Sequence, residues 1–189
     1  MIRVAVIRGL AVFGLLLPAA GAVAAEVQSG LPVGAPTQSI PVVDVTGPFK
    51  GERICYVCDF AEAPNVLAFL RDTSDGTAKL IVQLNQLYLK NKARNFKAVV
   101  MVVAGSGAKE WLENLSRSAN LEIPLTFFYK GPNDVAARVY RLNPDVKNTF
   151  LVTVNRVVVA NVSGITPDQF GQVADATAHM LAAGGNRKP

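Results

Sequence analysis

Hydrophobic and polar positions fall into blocks with two periods along this chain. Residues 66–70 (VLAFL) and 98–104 (AVVMVVA) are short unbroken apolar runs. Such runs predict strands buried on both faces. Between them, Leu80, Ile81, Leu84, Leu87 and Tyr88 recur at i, i+1, i+4, i+7 and i+8. That stripe predicts an amphipathic helix over 78–92, with Lys79, Gln83, Gln86 and Lys90 at other positions. Gly105-Ser106-Gly107 ends the second run, and a second helix is predicted over 108–119, carrying Trp111, Leu112 and Leu115. No Lys-Ser/Thr follows those glycines, so they form a strand-to-helix turn and no phosphate loop. Residues 125–129 (LTFFY) read as extended, and 134–141 as a short helix or turn. Residues 149–154 and 157–162 flank Asn155-Arg156, a two-residue hairpin connection. The last helix has a start signal: Thr166 as N-cap, Pro167 at N1 and Gln169 completing a capping box. Its inner stripe is Phe170, Val173, Ala174, Thr177 and Leu181.

Before the first buried run, residues 40–45 (IPVVDV) predict a short strand, broken at Thr46-Gly47-Pro48. Residues 26–39 are small, polar and Gly/Pro-bearing, and read as a linker. The N-terminus is different again. Arg3 and Arg8 precede an apolar run over 9–17, then Pro18, Gly21 and small residues up to Ala25. This is the three-part pattern of a secretory signal peptide over 1–25. The run is short of the roughly 20 residues needed to span a bilayer. A secreted or periplasmic location is expected, with no stable membrane insertion after cleavage. The body is one domain over 40–183, with a flexible tail over 184–189.

Composition then removes alternatives. The 189 residues are 50% hydrophobic and 17% charged, which excludes a disordered chain. Net charge is +5. Without residues 1–25 two arginines and no acids are lost, leaving 17 − 14 = +3. No nucleic-acid partner is expected at that charge. The cluster of Lys90, Lys92, Arg94 and Lys97 is explained as a solvated helix end. Trp111, Phe127 and Phe128 read as core.

The order strand, helix, strand, helix, extended segment, hairpin, helix implies parallel strands with crossover helices and an antiparallel edge. AVVMVVA, the Trp111 helix, IPLTFFYKG, DVAARVYRL and NTFLVTVNRVVVAN together resemble the thioredoxin superfamily, in its redoxin or peroxiredoxin-like branch. The resemblance covers about residues 40–182. The chain is also similar to exported thioredoxin-like proteins with a C-Y-x-C segment before the first core strand. The implied fold is an α/β three-layer sandwich, a central mixed sheet with helices on both faces. Two features depart from the pattern. The place of the working cysteine after the first core strand holds Arg71-Asp72-Thr73-Ser74-Asp75. The place of the proline before the hairpin strand holds Lys147-Asn148-Thr149.

Only two cysteines are present, as Cys55-Tyr56-Val57-Cys58. This spacing lets the sulfurs meet. A cysteine opening a helix has its thiolate stabilised by backbone N–H groups, and Lys50 and Arg53 add positive potential while Asp59 and Glu62 oppose it. Thiolate attack on a substrate disulfide, with the second thiol resolving, is the chemistry implied. Analogy with other CxxC pairs makes Cys55 the nucleophile and Cys58 the resolver, with protein thiols or disulfides as substrates and no cofactor. One alternative is a non-catalytic binding module whose disulfide staples the N-terminal segment to the core. So short a loop removes little chain entropy, which makes it a poor staple. Another is copper(I) binding, since thiolates are soft ligands. Exported copper chaperones with thioredoxin-like folds use two cysteines and one histidine, so the resemblance would make the single histidine, His179, the third ligand, though it is expected to face solvent. The position of Cys55 discriminates. Closeness to the C-terminal end of the first core strand marks a relocated active site, and the opposite end favours the staple or metal readings.

Overall fold

The computed structural model describes residues 28–185, so the proposed leader and the last four residues lie outside the described residues. The strands are β1 (Val42–Asp44), β2 (Arg53–Ile54), β3 (Asn65–Leu70), β4 (Lys97–Val102), β5 (Leu125–Phe127), β6 (Asn148–Val154) and β7 (Val157–Ser163). The helices are α1 (Tyr56–Asp59), α2 (Asp75–Asn91), α3 (Lys109–Ala119), α4 (Val135–Val139) and α5 (Gly171–Gly185). The seven strands form one sheet in the order β2-β1-β5-β4-β3-β6-β7. β3, β4 and β5 run parallel. β6 returns antiparallel on β3, pairing Asn65 with Thr153 and Leu70 with Asn148.

Period-2 alternation divides the core between the two faces of this sheet. Val66, Ala68 and Leu70 of β3, with Ala98, Val100 and Val102 of β4, pack against α2, α3 and α5. Leu67, Phe69, Val99 and Met101 face the other way, against Tyr56, Val57 and Phe60 around α1, Ala136 and Ala137 of α4, and Tyr140 that follows it. All six residues of β3 are buried: the apolar run Val66–Leu70, as its sequence predicts, and Asn65 before it. The expected three-layer sandwich is therefore present.

α2 begins at Asp75, three residues before the predicted start at 78, because Ser74 caps it. The Ser74 hydroxyl accepts from Thr77 N–H at 3.3 Å, satisfying one of the free donors of the first turn. The apolar run of β4 extends in sequence to Ala104, yet the strand stops at Val102. Gly105 takes φ +69° and opens a 3₁₀ turn, Gly105–Ala108, that leads into α3. The capping box sits on the 3₁₀ turn Pro167–Gln169 that precedes α5, where Gln169 Oε1 accepts Thr166 N–H at 3.0 Å.

The segment that composition marks as a linker packs closely where it is described. Ser29 and Leu31 are buried. Gly30 N donates to Arg141 O at 3.0 Å, and Thr37 N to Arg156 O at 2.7 Å. Asn161 Nδ2 donates to the carbonyls of Ser29 and Leu31. Backbone groups hold this stretch, so its polar, Gly/Pro-rich composition does not disclose the packing.

Candidate thiol–disulfide site

β2 delivers the chain to Cys55, whose extended backbone (φ −99°, ψ 92°) caps α1. Cys55 Sγ accepts Cys58 N–H at 3.1 Å, and Cys55 O accepts the N–H groups of Cys58 and Asp59 at 3.0 Å each. This single turn brings the two Cα atoms to 5.2 Å, and the cysteines are joined as a disulfide. That separation is within the ordinary range for the bond. The two sulfurs differ in surroundings. Cys55 is half-buried and packs against the α1–α4 side of the core. Cys58 is exposed.

The two residues between the cysteines anchor the turn. Tyr56 and Val57 are buried. Tyr56 Oη donates to Asp44 Oδ2 at 2.7 Å. The same carboxylate accepts Gly47 N–H and Phe49 N–H at 2.8 Å each and Thr46 N–H at 3.2 Å. Asp44 thus ties the loop after β1 to the turn that carries both cysteines. Burial, followed by the hydrogen bond to Asp44 and that group's charge, pushes the Tyr56 phenol far above its ordinary range. Tyr56 therefore stays a hydrogen-bond donor at any physiological pH. Gly47 is required at this corner, because a Cβ there would collide with Tyr56 Oη, Asp44 and Pro124.

The pair precedes β3 in the chain and follows β2, the edge strand whose Ile54 pairs with Val42 of β1. The chain leaves α1 and reaches Asn65 through a short loop, in which Glu62 O accepts Asn155 N–H at 3.1 Å from the β6–β7 turn. β3 is six residues long, about 20 Å at the usual rise, and the place of the superfamily's working cysteine is at its far end. There Asp72 accepts from Ser74 N–H at 3.2 Å and Ser74 Oγ at 2.8 Å, and from the Thr77 hydroxyl. Lys147 Nζ stands 3.8 Å from the same carboxylate. Burial would raise the Asp72 pKa, but the Thr77 and Ser74 hydrogen bonds and Lys147 outweigh it and hold the carboxyl below its ordinary range. Arg71 donates to Leu142 O at 3.1 Å. No cis peptide bond occurs among the described residues, consistent with Lys147-Asn148 standing where the superfamily has its proline.

The cations expected beside the pair are engaged elsewhere. Lys50 Nζ pairs with Glu113 at 3.2 Å, and the Arg53 guanidinium lies 4.8 Å over the Tyr129 ring. A cation distant in sequence reaches Cys58 instead. An Arg156 guanidinium N–H donates to Ser39 Oγ at 3.2 Å, and Ser39 Oγ is 3.2 Å from Cys58 Sγ. A disulfide sulfur carries no hydrogen, so the Ser39 hydroxyl is the donor. Sequence reasoning missed Ser39 and Arg156 because they are 117 positions apart. The available signal was an arginine in the second place of a two-residue hairpin turn, where glycine is favoured. His179 is exposed on α5 and shares a cleft with Val154, Val159 and Met180. No group of three or more His, Cys, Asp or Glu is arranged to hold a metal among the described residues.

No protein-family model matches the sequence, and no curated protein sequence matches it. Solved structures do match in shape. Peroxidoxin BcpB from Mycobacterium tuberculosis superposes with TM-score 0.62 at 20% identity, over 82% of this chain and 98% of that one. This is a thioredoxin-like fold. A candidate thiol:disulfide interchange protein DsbE from Chlorobium tepidum gives TM-score 0.63 at 17% identity, over 80% and 99% of the two chains. The thioredoxin domain of a thiol-disulfide oxidoreductase from Bacteroides vulgatus gives 0.59 at 12%, over 77% and 96%. No helix among the described residues is long and apolar enough to cross a membrane.

Proposed function

We propose that this protein is a thiol–disulfide redox protein working through a reversible Cys55–Cys58 disulfide on protein thiols or disulfides. The observation that carries the reading is the bond itself: two cysteines within one turn, already joined, one exposed and the other with a backbone N–H aimed at its sulfur. The thioredoxin-like neighbours carrying thiol-disulfide names agree with it. Both ends of the bond belong to the same turn, which makes it a poor staple between the N-terminal segment and the core and supports an exchange role. The leader pattern over 1–25 supports export to an oxidising compartment, where such a pair persists.

One observation favours a second reading. The pair precedes β3 in the chain, and the place after β3 where the superfamily has its working cysteine holds Asp72, Ser74 and Thr77 in place of a thiol. A binding module with a local disulfide clip would look like this. Copper(I) binding is the weaker reading, since the fold does not bring His179 to the pair to complete a third ligand.

A redox titration against thiol buffers separates them. The redox reading expects a midpoint between about −270 and −120 mV. A pair that stays oxidised below about −300 mV is a structural clip and overturns the reading.

A further inference from the structure

The two sulfurs are unequal, and the inequality runs against the usual assignment for a CxxC pair. Cys55 is half-buried against the core and already accepts Cys58 N–H at 3.1 Å. Cys58 is exposed and takes its hydrogen bond from outside the turn, through Ser39 from Arg156. Arg156 is held in place for this. Its carbonyl accepts Thr37 N–H at 2.7 Å and the Thr37 hydroxyl at 3.1 Å, which ties the hairpin turn to the segment carrying Ser39.

A second, independent observation concerns the backbone. Asn155 and Arg156 have φ +53° and +60°, the two left-handed positions of a type I′ turn. Asparagine suits the first, and glycine is the low-energy residue at the second. A side chain with a Cβ costs about 1–2 kcal/mol in that conformation. Strain of this kind points to a role for the side chain that carries it. Here the guanidinium reaches the hydroxyl that touches Cys58.

Resting on the redox reading, we propose that Cys58 is the catalytic sulfur on which the mixed disulfide forms, and that Arg156 acts through Ser39 as a positioning residue for its thiolate. A substrate thiolate, RS⁻, attacks Cys58 Sγ. The Cys58–S–R bond forms and the Cys55–Cys58 bond breaks, its electron pair leaving on Cys55 Sγ beneath the Cys58 N–H. A second substrate thiolate attacks the R sulfur. The substrate disulfide forms, and Cys58 departs as a thiolate facing the Ser39 hydroxyl. Two electrons pass from the two substrate thiolates to the cysteine pair, and the protons exchange with water. The reverse sequence reduces a substrate disulfide through the same Cys58 adduct.

The test uses the full chain with glutathione disulfide as probe and mass spectrometry of the adduct. Cys55→Ser is expected to form the adduct about tenfold faster than Cys58→Ser, following exposure of the attacking thiol. An equal or faster reaction at Cys55 in the Cys58→Ser variant overturns the assignment. The positioning role is read from the pH profile of iodoacetamide alkylation of Cys58 in the Cys55→Ser background. Arg156→Gly relieves the turn, so its fold is retained while the charge is lost. Its profile should move up by about half a pH unit, the size of one partly screened charge. Ser39→Ala should move it the same way, and Arg156→Lys should largely restore it. An unmoved profile in Arg156→Gly overturns the positioning role. A wild-type midpoint below about −300 mV, with no adduct on either variant, overturns the redox reading itself. A normal midpoint with the adduct on Cys55 overturns only the choice of sulfur.

Discussion

Tyr56 lies between the cysteines, yet its hydroxyl is directed at Asp44, and Tyr56→Phe isolates that bond. The substitution keeps the ring, which packs at 5.5 Å from Phe60 and 6.2 Å from Phe49 between centroids. It removes one hydrogen bond to a carboxylate, between residues 2% and 1% exposed. Hydrogen bonds to charged groups contribute about 1.5–3 kcal/mol. Asp44 keeps its three backbone donors, so the lower half of that range, about 1.5–2 kcal/mol, is expected. For a domain of this size that corresponds to a fall in Tm of about 3–8 °C. Urea unfolding followed by circular dichroism measures it, with an unchanged m-value. Asp44→Asn should cost more, because an amide nitrogen cannot accept from Phe49 N–H or Tyr56 Oη. In the double variant the two losses should fall short of additive, since both remove the same bond. A Tyr56→Phe protein within about 0.5 kcal/mol of wild type would refute the view that this bond anchors the cysteine turn.

Two further outcomes follow from the geometry. Gly30→Ala should destabilise by more than about 1 kcal/mol in the same urea assay, because φ is +96° and a Cβ would stand 2.6 Å from Thr149 Cγ2 and 2.9 Å from Asn161 Nδ2. A neutral result would mean that residues 28–39 are not packed as described. Asp72 has a depressed pKa in the folded state, so its contribution is present above the unfolded value of about 3.9 and is lost as pH falls through the folded value. Thermal melts between pH 5 and pH 2, pH settings of about that span, should therefore show a smaller loss of stability in Asp72→Asn than in wild type. Equal losses would contradict the bonding assigned to this carboxylate.

The sheet and its helices were legible because burial on both faces leaves a sequence mark. The VLAFL and AVVMVVA runs mark strands covered twice, the second ending at Val102, and the Leu80–Leu84–Leu87 stripe marks a helix lying on one face. The closing hairpin was marked by Asn155-Arg156. What escaped was held by polar groups across long separations. Ser29 bonds Thr149 at 2.7 Å and Asn161 holds two carbonyls of the N-terminal segment, so a stretch with a linker's composition is packed. The site divided in the same way. Cys55 and Cys58 were visible by spacing, and the helix-opening role of Cys55 followed from it. The cation that reaches the pair was not visible. Lys50 and Arg53 are near in sequence but are drawn to Glu113 and Tyr129, and the hydrogen bonds from Thr37 to the Arg156 carbonyl bring Arg156 to Ser39.

The position of the pair, ahead of β3 in the chain and not after it, would count heavily for a structural clip if the clip had much to stabilise. Its loop spans a sequence separation of 3. The loop-entropy relation gives about 2 kcal/mol for a loop so short. By linkage, whatever stability the disulfide adds to the fold is also the amount by which the fold favours disulfide over dithiol. At about 30 mV per 1.4 kcal/mol, 2 kcal/mol lowers the midpoint by only about 40 mV. Moving from an exchange-competent potential near −180 mV to a structural one below −300 mV takes about 120 mV, or between about 5 and 6 kcal/mol. Loop entropy supplies about a third of that. Urea unfolding of the oxidised and reduced protein is thus a second, independent measure of the potential. A difference near 2 kcal/mol leaves the pair free to exchange. A difference of about 5 kcal/mol or more would show that the fold locks the bond, and the exchange reading would fail even with Cys58 open to solvent.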